Sequence, residues 1–347
     1  MKKIIKLSAN ENFYGCSPNV IKALRENLES IYLYPDYHQN VLKNKIAEIN
    51  NVLPSNVMLG VGSIGIIDAI IRLLVKPEEG IITFERSFVA YGQLSNLYNR
   101  KILFAPLDNY ICNTSQLFPL INDKTRVIFI ANPNNPTGTI IGHQTLENYL
   151  IEVRDDIFVV IDEAYLEYAT EVCFPDGIKL LKKFPNVIIL RGFSKVYGIA
   201  GLRIGYGIAN EKTAAFLENH RLPFSINSLA AIGAMAAMND QNFVKESAVK
   251  NAVEREFLYN ALKEMGYHVI PTQGNYLFMF FESDTEKETV YQKLADEGII
   301  VCNLKVFGQN RSLRIGIPDR ETNKMIVSIL NTDISVDKIV SEYRNIL

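Results

Sequence analysis

Between about residues 55 and 210, short runs of β-branched and aromatic residues alternate with stretches of helical periodicity, and no other feature restricts the fold as strongly. The runs cover 81–84, 127–130, 158–161, 187–190 and 204–208. Each is almost continuously apolar, so both of its faces need cover. Such strands, separated by crossovers long enough for a helix, predict a mostly parallel sheet with helices on both sides. Ligands of such sheets collect at the carboxyl ends of the strands.

Outside this region the order changes. Residues 17–29 open with Ser17-Pro18, a cap followed by proline at the first helical position, and place Ile21, Leu24 and Leu28 on one stripe, predicting an amphipathic helix. Beyond about residue 245, the pattern predicts a long charged helix over 245–265, a strand over 276–281 and a helix over 290–297. Short strands over 299–302 and 312–317 and a closing helix over 324–330 follow. The expected fold class is α/β, with a large domain over 30–245. A smaller α+β domain is expected from 246–347 together with an N-terminal arm, 1–29. With 347 residues, 48% of them hydrophobic, the chain has material for about two packed domains.

Charge and cysteine usage exclude several classes. Lys plus Arg number 36 against 38 for Asp plus Glu, which gives no general attraction to nucleic acid or an anionic membrane. The longest stretch without a polar side chain, 229–238, is well short of the roughly 18 residues that span a bilayer. The start, Met1-Lys2-Lys3-Ile4-Ile5-Lys6, lacks the apolar core of an export signal. Cys16, Cys112, Cys173 and Cys302 show no metal-ligand or redox spacing, nor do His38, His143, His220 and His268. The expectation is a cytoplasmic protein with reduced thiols and no metal.

The chemistry sits where polar residues interrupt this pattern, directly after apolar strands. One run leads into Asn132-Pro133-Asn134-Asn135-Pro136-Thr137-Gly138, a second into Asp162-Glu163-Ala164-Tyr165, and a third into Arg191-Gly192-Phe193-Ser194-Lys195. Asn135, Asp162 and Lys195 are 27 and 33 residues apart, close to one strand–helix–strand unit of about 30 residues or more, so all three can meet in one crevice. Alone, Lys195 reads as a solvated lysine and Asp162 as a helix cap. Together, an amine, a carboxylate and an amide make a poor hydrolase or metal site, because the amine is the only strong nucleophile. They suit pyridoxal 5'-phosphate: the amine forms a Schiff base with its aldehyde, the carboxylate keeps its ring nitrogen protonated, and Asn135 donates to its phenolic oxygen. Its phosphate needs an anion site. Leu59-Gly60-Val61-Gly62-Ser63 opens a helical stretch whose free N–H groups provide one, with Ser194 and Arg203 as further donors.

Asn134-Asn135-Pro136-Thr137-Gly138, Asp162-Glu163-Ala164-Tyr165, and Ser194-Lys195 with Ala200-Gly201-Leu202-Arg203-Ile204-Gly205-Tyr206 resemble the fold-type-I pyridoxal-phosphate aminotransferases, those with the aspartate aminotransferase-like fold. Ala9-Asn10-Glu11-Asn12-Phe13-Tyr14-Gly15, Tyr34-Pro35-Asp36 and Arg221-Leu222-Pro223-Phe224-Ser225-Ile226-Asn227 are similar to the histidinol-phosphate aminotransferase branch. The resemblance implies catalytic roles for Lys195, the Schiff-base lysine and proton shuttle, for Asp162 and for Tyr165, which joins Asn135 at the phenolic oxygen. It implies Phe88 stacked on the cofactor ring, and the phosphate held by Gly62, Ser63, Ile64, Ser194 and Arg203. Tyr34 is implied to reach over from the second subunit of a homodimer. Arg314 matches the arginine for the amino donor's carboxylate, and Tyr14 and Asn135 the substrate side. The implied reaction moves an amino group between glutamate and imidazole acetol phosphate, in histidine biosynthesis.

Three positions depart from the family pattern. Ile64-Gly65 stands in place of an acidic pair, Gly192 in place of a hydroxyl residue, and Cys302 where members acting on histidinol phosphate commonly carry an arginine. Loss of one charge-assisted contact weakens anion binding by roughly 1.5 to 3 kcal/mol. The alternatives are therefore a shorter phosphorylated ketone such as dihydroxyacetone phosphate, or decarboxylation of a phosphorylated amino acid on the same frame.

Overall fold

The structure, a computed structural model, describes residues 4–331; the expected small domain's outer stretches, 1–3 and 332–347, lie outside the described residues. The chain begins with strand β1 (Ile5–Lys6) and helices α1 (Pro18–Glu26) and α2 (Asn40–Asn50). Then come β2 (Val57–Gly60), α3 (Gly62–Leu74), β3 (Gly80–Phe84), α4 (Ala90–Leu97), β4 (Lys101–Ala105) and β5 (Thr125–Ala131). They are followed by α5 (His143–Glu152), β6 (Phe158–Asp162), α6 (Gly177–Lys183), β7 (Val187–Gly192) and β8 (Gly205–Ile208). Helices α7 (Glu211–Asn219), α8 (Ser228–Asn239) and α9 (Gln241–Glu264) lead to β9 (His268–Ile270), β10 (Tyr276–Phe280) and α10 (Asp284–Asp296). Strands β11 (Ile299–Ile300), β12 (Cys302–Asn303) and β13 (Ser312–Gly316) precede α11 (Arg320–Leu330).

Seven strands form the large sheet in the order β2-β8-β7-β6-β5-β3-β4. The expected mostly parallel α/β sheet is present, with β8 alone running against both neighbours. Sequence periodicity found five of these strands and missed two. Strand β4 lies at the sheet edge and starts at the exposed Lys101, so its apolar signature is diluted. Strand β2 has four residues and ends in Gly60, where the glycine turn masks it. The last predicted strand starts one residue late, at Gly205, because Ile204 still belongs to the incoming loop.

Alternation along each central strand feeds two cores. On β5, Ile128 and Ile130 point into one apolar cluster and Val127 and Phe129 into the other, as the two-residue period of a strand requires. A third cluster holds the smaller unit together, in which α9, α10 and α11 supply Leu258, Leu262, Leu294 and Ile326 against Leu277, Met279, Leu313 and Ile315. Its sheet runs β12-β13-β10-β9, all antiparallel.

Five other expectations need correction. The helix expected over 17–29 stops at Glu26, and its buried stripe is Val20 with Leu24, not Ile21 and Leu28, which are exposed. The run over 299–302 is two strands: Ile299–Ile300 pairs in parallel with β1, and Cys302–Asn303 pairs antiparallel with β13. A continuous apolar run carries no mark of a change of sheet. Helix α9 starts at Gln241 on an Asp240 cap, four residues before the predicted start. Helices α10 and α11 likewise begin earlier than predicted, at the caps Ser283 and Asp319, because their first turns are polar. Among the described residues no helix is long and apolar enough to cross a membrane.

The N-terminal arm ties the two units together. Leu7 receives a backbone bond from Gly316 (2.9 Å) and donates one to Ile300 (2.8 Å). Farther on, Asn12 Nδ2 reaches the Val196 carbonyl at 2.7 Å, beside Lys195.

Candidate active site

Strand parity decides which carboxylate faces the site. On β6, Asp162 shares the face of Val160, whose cluster includes Tyr91 and Phe129. The Tyr91 ring stacks on Phe129 with centroids 4.6 Å apart, and its hydroxyl donates to Asp162 Oδ2 at 2.9 Å. Burial pushes the Asp162 carboxyl up to about 6, although the Tyr91 hydroxyl and the Ala164 amide both favour its charged form. Glu163, one residue on, is buried in an ion pair with Arg191 (2.7 Å), and Arg191 also donates to Asn50.

Strand ends bring the other groups to the same place. A cavity of about 310 Å3 is lined by Lys195, Asp162, Tyr165, Asn135, Phe88, Ser63, Ile64, Ser194, Arg203 and Arg314. Lys195 Nζ donates to the Ala9 carbonyl at 3.0 Å and lies 5.3 Å from the centre of the Tyr165 ring. The Tyr165 hydroxyl accepts from Asn10 Nδ2 at 3.0 Å. Arg314 comes from β13, is almost fully buried, and donates to Asn135 Oδ1 and to the Ser8 carbonyl (2.7 Å).

At one end of the cavity the first turn of α3 is left without a side-chain cap and without an acidic residue. Its free N–H groups and the helix dipole favour an anion there. Gly60, Gly205 and Gly192 stand side by side in register on β2, β8 and β7, and the first two make the approach possible. A Cβ on Gly205 would meet Ser63 N at 2.6 Å, while one on Gly192 meets nothing within 4 Å. Gly62 adopts φ +67°, a conformation glycine takes without strain, and a Cβ there would lie 2.7 Å from Arg203 Nη2. Gly205→Ala is therefore expected to destabilise the chain by about 1 to 3 kcal/mol and to weaken anion binding at this turn. Gly192→Ala should be tolerated. Urea unfolding with and without the cofactor checks both, and equal losses in the two variants would contradict the glycine argument.

Gly62 stands one residue before the cavity lining, which starts on this turn at Ser63, and two expected side chains are not brought to the cavity of their own chain. Tyr34 is 82% exposed, with its ring 4.8 Å from that of Phe224. Tyr14 lies beside Phe13 and 5.6 Å from the Lys250 ammonium, and burial pushes its phenol up to about 12. Cys302 stands opposite Arg314 in register but does not line the cavity.

Sequence reasoning missed Tyr91, the arm residues Ser8 to Glu11 and Phe307. Tyr91 closes the Ser87-Phe88-Val89-Ala90-Tyr91 segment, and Asn10 and Glu11 lie in a conspicuous motif, but neither signal says what the side chain touches. Phe307 packs near Arg314 with no sequence mark at all.

The chain is similar to known proteins over nearly its whole length. The family model for aminotransferase class I and II matches residues 2–330. A histidinol-phosphate aminotransferase of Caldicellulosiruptor saccharolyticus is 38% identical, over 91% of this chain and 87% of its own length. One from Geobacillus sp. is 35% identical over 97% and 92%. The crystal structure of the Sinorhizobium meliloti histidinol-phosphate aminotransferase in complex with pyridoxal-5'-phosphate superposes with a TM-score of 0.88 at 25% identity, covering 95% of this chain and 92% of that one. The glycine-lined anion turn, the buried aspartate and the strand-end lysine are thus set in a shared fold, and the chain belongs to the class I and II aminotransferase family.

Proposed function

We propose that this pyridoxal-phosphate-dependent aminotransferase exchanges an amino group between glutamate and imidazole acetol phosphate, giving 2-oxoglutarate and histidinol phosphate. The observation that carries the reading is the convergence of Lys195, Asp162, Asn135, Tyr165 and Arg203 on one cavity, joined by Arg314 from the smaller unit. Relatives named for histidinol phosphate, 34–38% identical over nearly the whole chain, support the choice of acceptor.

The donor set fits the cofactor. Asp162 is a buried carboxylate whose bonds come from neutral donors, so a protonated ring nitrogen offsets its burial. The uncapped α3 turn, Ser194 and Arg203 suit the phosphate, and Phe88, held edge-on to Tyr91 at 5.6 Å, suits the ring face. When bound, pyridoxal phosphate supplies an electron-withdrawing ring that makes the substrate's α-carbon acidic.

The chain's residues do the rest. Lys195 would hold the cofactor covalently through its amine, and that amine, free in the cavity when substrate is bound, is the group that would carry a proton from the α-carbon. Asp162 holds the proton at the ring nitrogen, with its own position fixed by Tyr91. Asn10 donates to the Tyr165 oxygen, which leaves the phenol's proton free to be given to the cofactor's oxygen beside Asn135. Arg314, preset by Asn135 and the Ser8 carbonyl, anchors the substrate's anionic group next to the reacting carbon.

The reading includes a homodimer in which Tyr34 completes the partner's phosphate site. Ile31, Tyr32, Leu33 and Tyr34 are all largely exposed in the single chain, an apolar run in need of cover. It also places the chain in the cytoplasm, with its four cysteines free. The test is a panel of acceptors with glutamate as donor and 2-oxoglutarate release as readout. Imidazole acetol phosphate is expected to react at least about tenfold faster, in kcat/KM, than dihydroxyacetone phosphate or an unphosphorylated ketone, because only it fills both the anion anchor and the ring space. A preference for dihydroxyacetone phosphate, or carbon dioxide release without any 2-oxo acid, would overturn the assignment.

A further inference from the structure

We infer that the ion pair between Glu11, at the cavity wall, and Lys6, in the adjoining crevice, reads the side chains of both substrates, Glu11 taking the imidazole and Lys6 the distal carboxylate of glutamate. The inference rests on the reaction proposed above. It starts from an inventory of charge. Among the described residues, the charged groups lining the cavity are Lys195, Asp162, Arg203, Arg314 and Glu11. The first four are used on the cofactor and on the anion beside the reacting carbon. Glu11 remains, a carboxylate in a cavity otherwise built for anions.

Its carboxyl is charged at neutral pH. Partial burial works against ionisation, but the Lys6 ammonium, 2.7 Å away, and Lys195 beyond it hold the group below the usual range. Lys6 projects from β1, whose register sets it opposite Ile300, and lines the adjoining crevice that shares Glu11 with the main cavity. Asn275 Nδ2 bonds the carbonyls of Asn10 and Glu11 (3.0 and 3.2 Å), which fixes the arm under this pair.

A site that serves two substrates in turn must accept, in one place, a ring that donates N–H and a chain that ends in carboxylate. A single fixed charge would favour one and repel the other. An ion pair offers both signs: the ring's N–H bonds Glu11, and the γ-carboxylate of glutamate takes Lys6 while Glu11 turns to solvent, where it is already 42% exposed.

Two half-reactions separate the roles. Single-turnover amino transfer from histidinol phosphate and from glutamate, read as the bound cofactor's absorbance change, is compared in Glu11→Gln and Lys6→Gln holoenzymes. Glu11→Gln should lower kcat/KM for histidinol phosphate about ten- to a hundredfold more than for glutamate, and Lys6→Gln should do the reverse, the loss falling on KM. Equal losses for both amines in each variant, or no loss in either, would overturn the inference while leaving the reaction intact. A wild-type enzyme that accepts glutamate but is inert to histidinol phosphate would overturn the reaction proposed and this inference with it.

Discussion

Lys195→Ala is expected to lower amino transfer by at least about 10⁴-fold, the upper range for loss of a general acid–base alone, because the same amine also forms the covalent link to the cofactor. Lys195 is the only lysine that lines the cavity among the described residues, so no neighbour replaces it. Among the described residues its amine donates to the exposed Ala9 carbonyl, and losing that bond should change stability by no more than about 0.5 kcal/mol. The cofactor should still bind through the α3 turn and Arg203 but wash out on dialysis, and borohydride should fix no label to the protein. Rapid-quench measurement of a single turnover checks the rate, and urea unfolding checks the fold. A variant that keeps more than about a hundredth of the wild-type rate would remove Lys195 from the chemistry.

Asp162→Asn should show a rate loss of about 10² to 10⁴-fold with a gain in stability of the cofactor-free chain, and the opposition of the two effects is what identifies the residue's task. The rate falls because a neutral amide no longer holds a proton on the ring nitrogen. The stability gain follows from burial. The carboxyl titrates at about 6 in the folded chain, against an ordinary value of 3.8, so between those values the folded state binds more protons than the unfolded one. Stability from this group is thus fully present below about pH 4 and is lost as pH rises through 6. The difference is worth roughly 3 kcal/mol at neutral pH. The neutral amide of the variant would not carry that cost, less about 1 kcal/mol for a weakened bond to the Ala164 amide. Urea midpoints of the cofactor-free proteins at pH 4 and pH 7.5 check the sign: the variant's advantage should appear only at the higher pH. An equal advantage at both values would refute the burial argument, and adding cofactor should reverse the order at pH 7.5.

The parts of the site that were legible in the sequence are those where a polar residue ends an apolar strand. Asn135, Asp162 and Lys195 stand out because a core position has no use for them, and their spacing matches the repeat of the fold. The glycines before α3 were legible for a similar reason, since only an unusual backbone calls for them. Tyr91 was not, because a buried tyrosine that holds a catalytic carboxylate and one that merely fills a core have the same neighbours in sequence. The arm residues Ser8 to Glu11 were hidden by distance: they contact Lys195, Tyr165, Asn275 and Arg314 across 155 to 306 positions.

Local pattern by itself determined the α/β class, the central strands and the strand-end chemistry, because the two-residue and 3.6-residue periods are set by backbone geometry within a few residues. Only the tertiary structure decided that β8 runs against its neighbours, that 299–302 is shared between two sheets, and that a short N-terminal arm crosses both units to bring Glu11 and two backbone carbonyls to the cavity and Lys6 to the crevice beside it. Those outcomes depend on which distant surfaces bury one another, and an apolar residue buried by either partner looks the same in the chain.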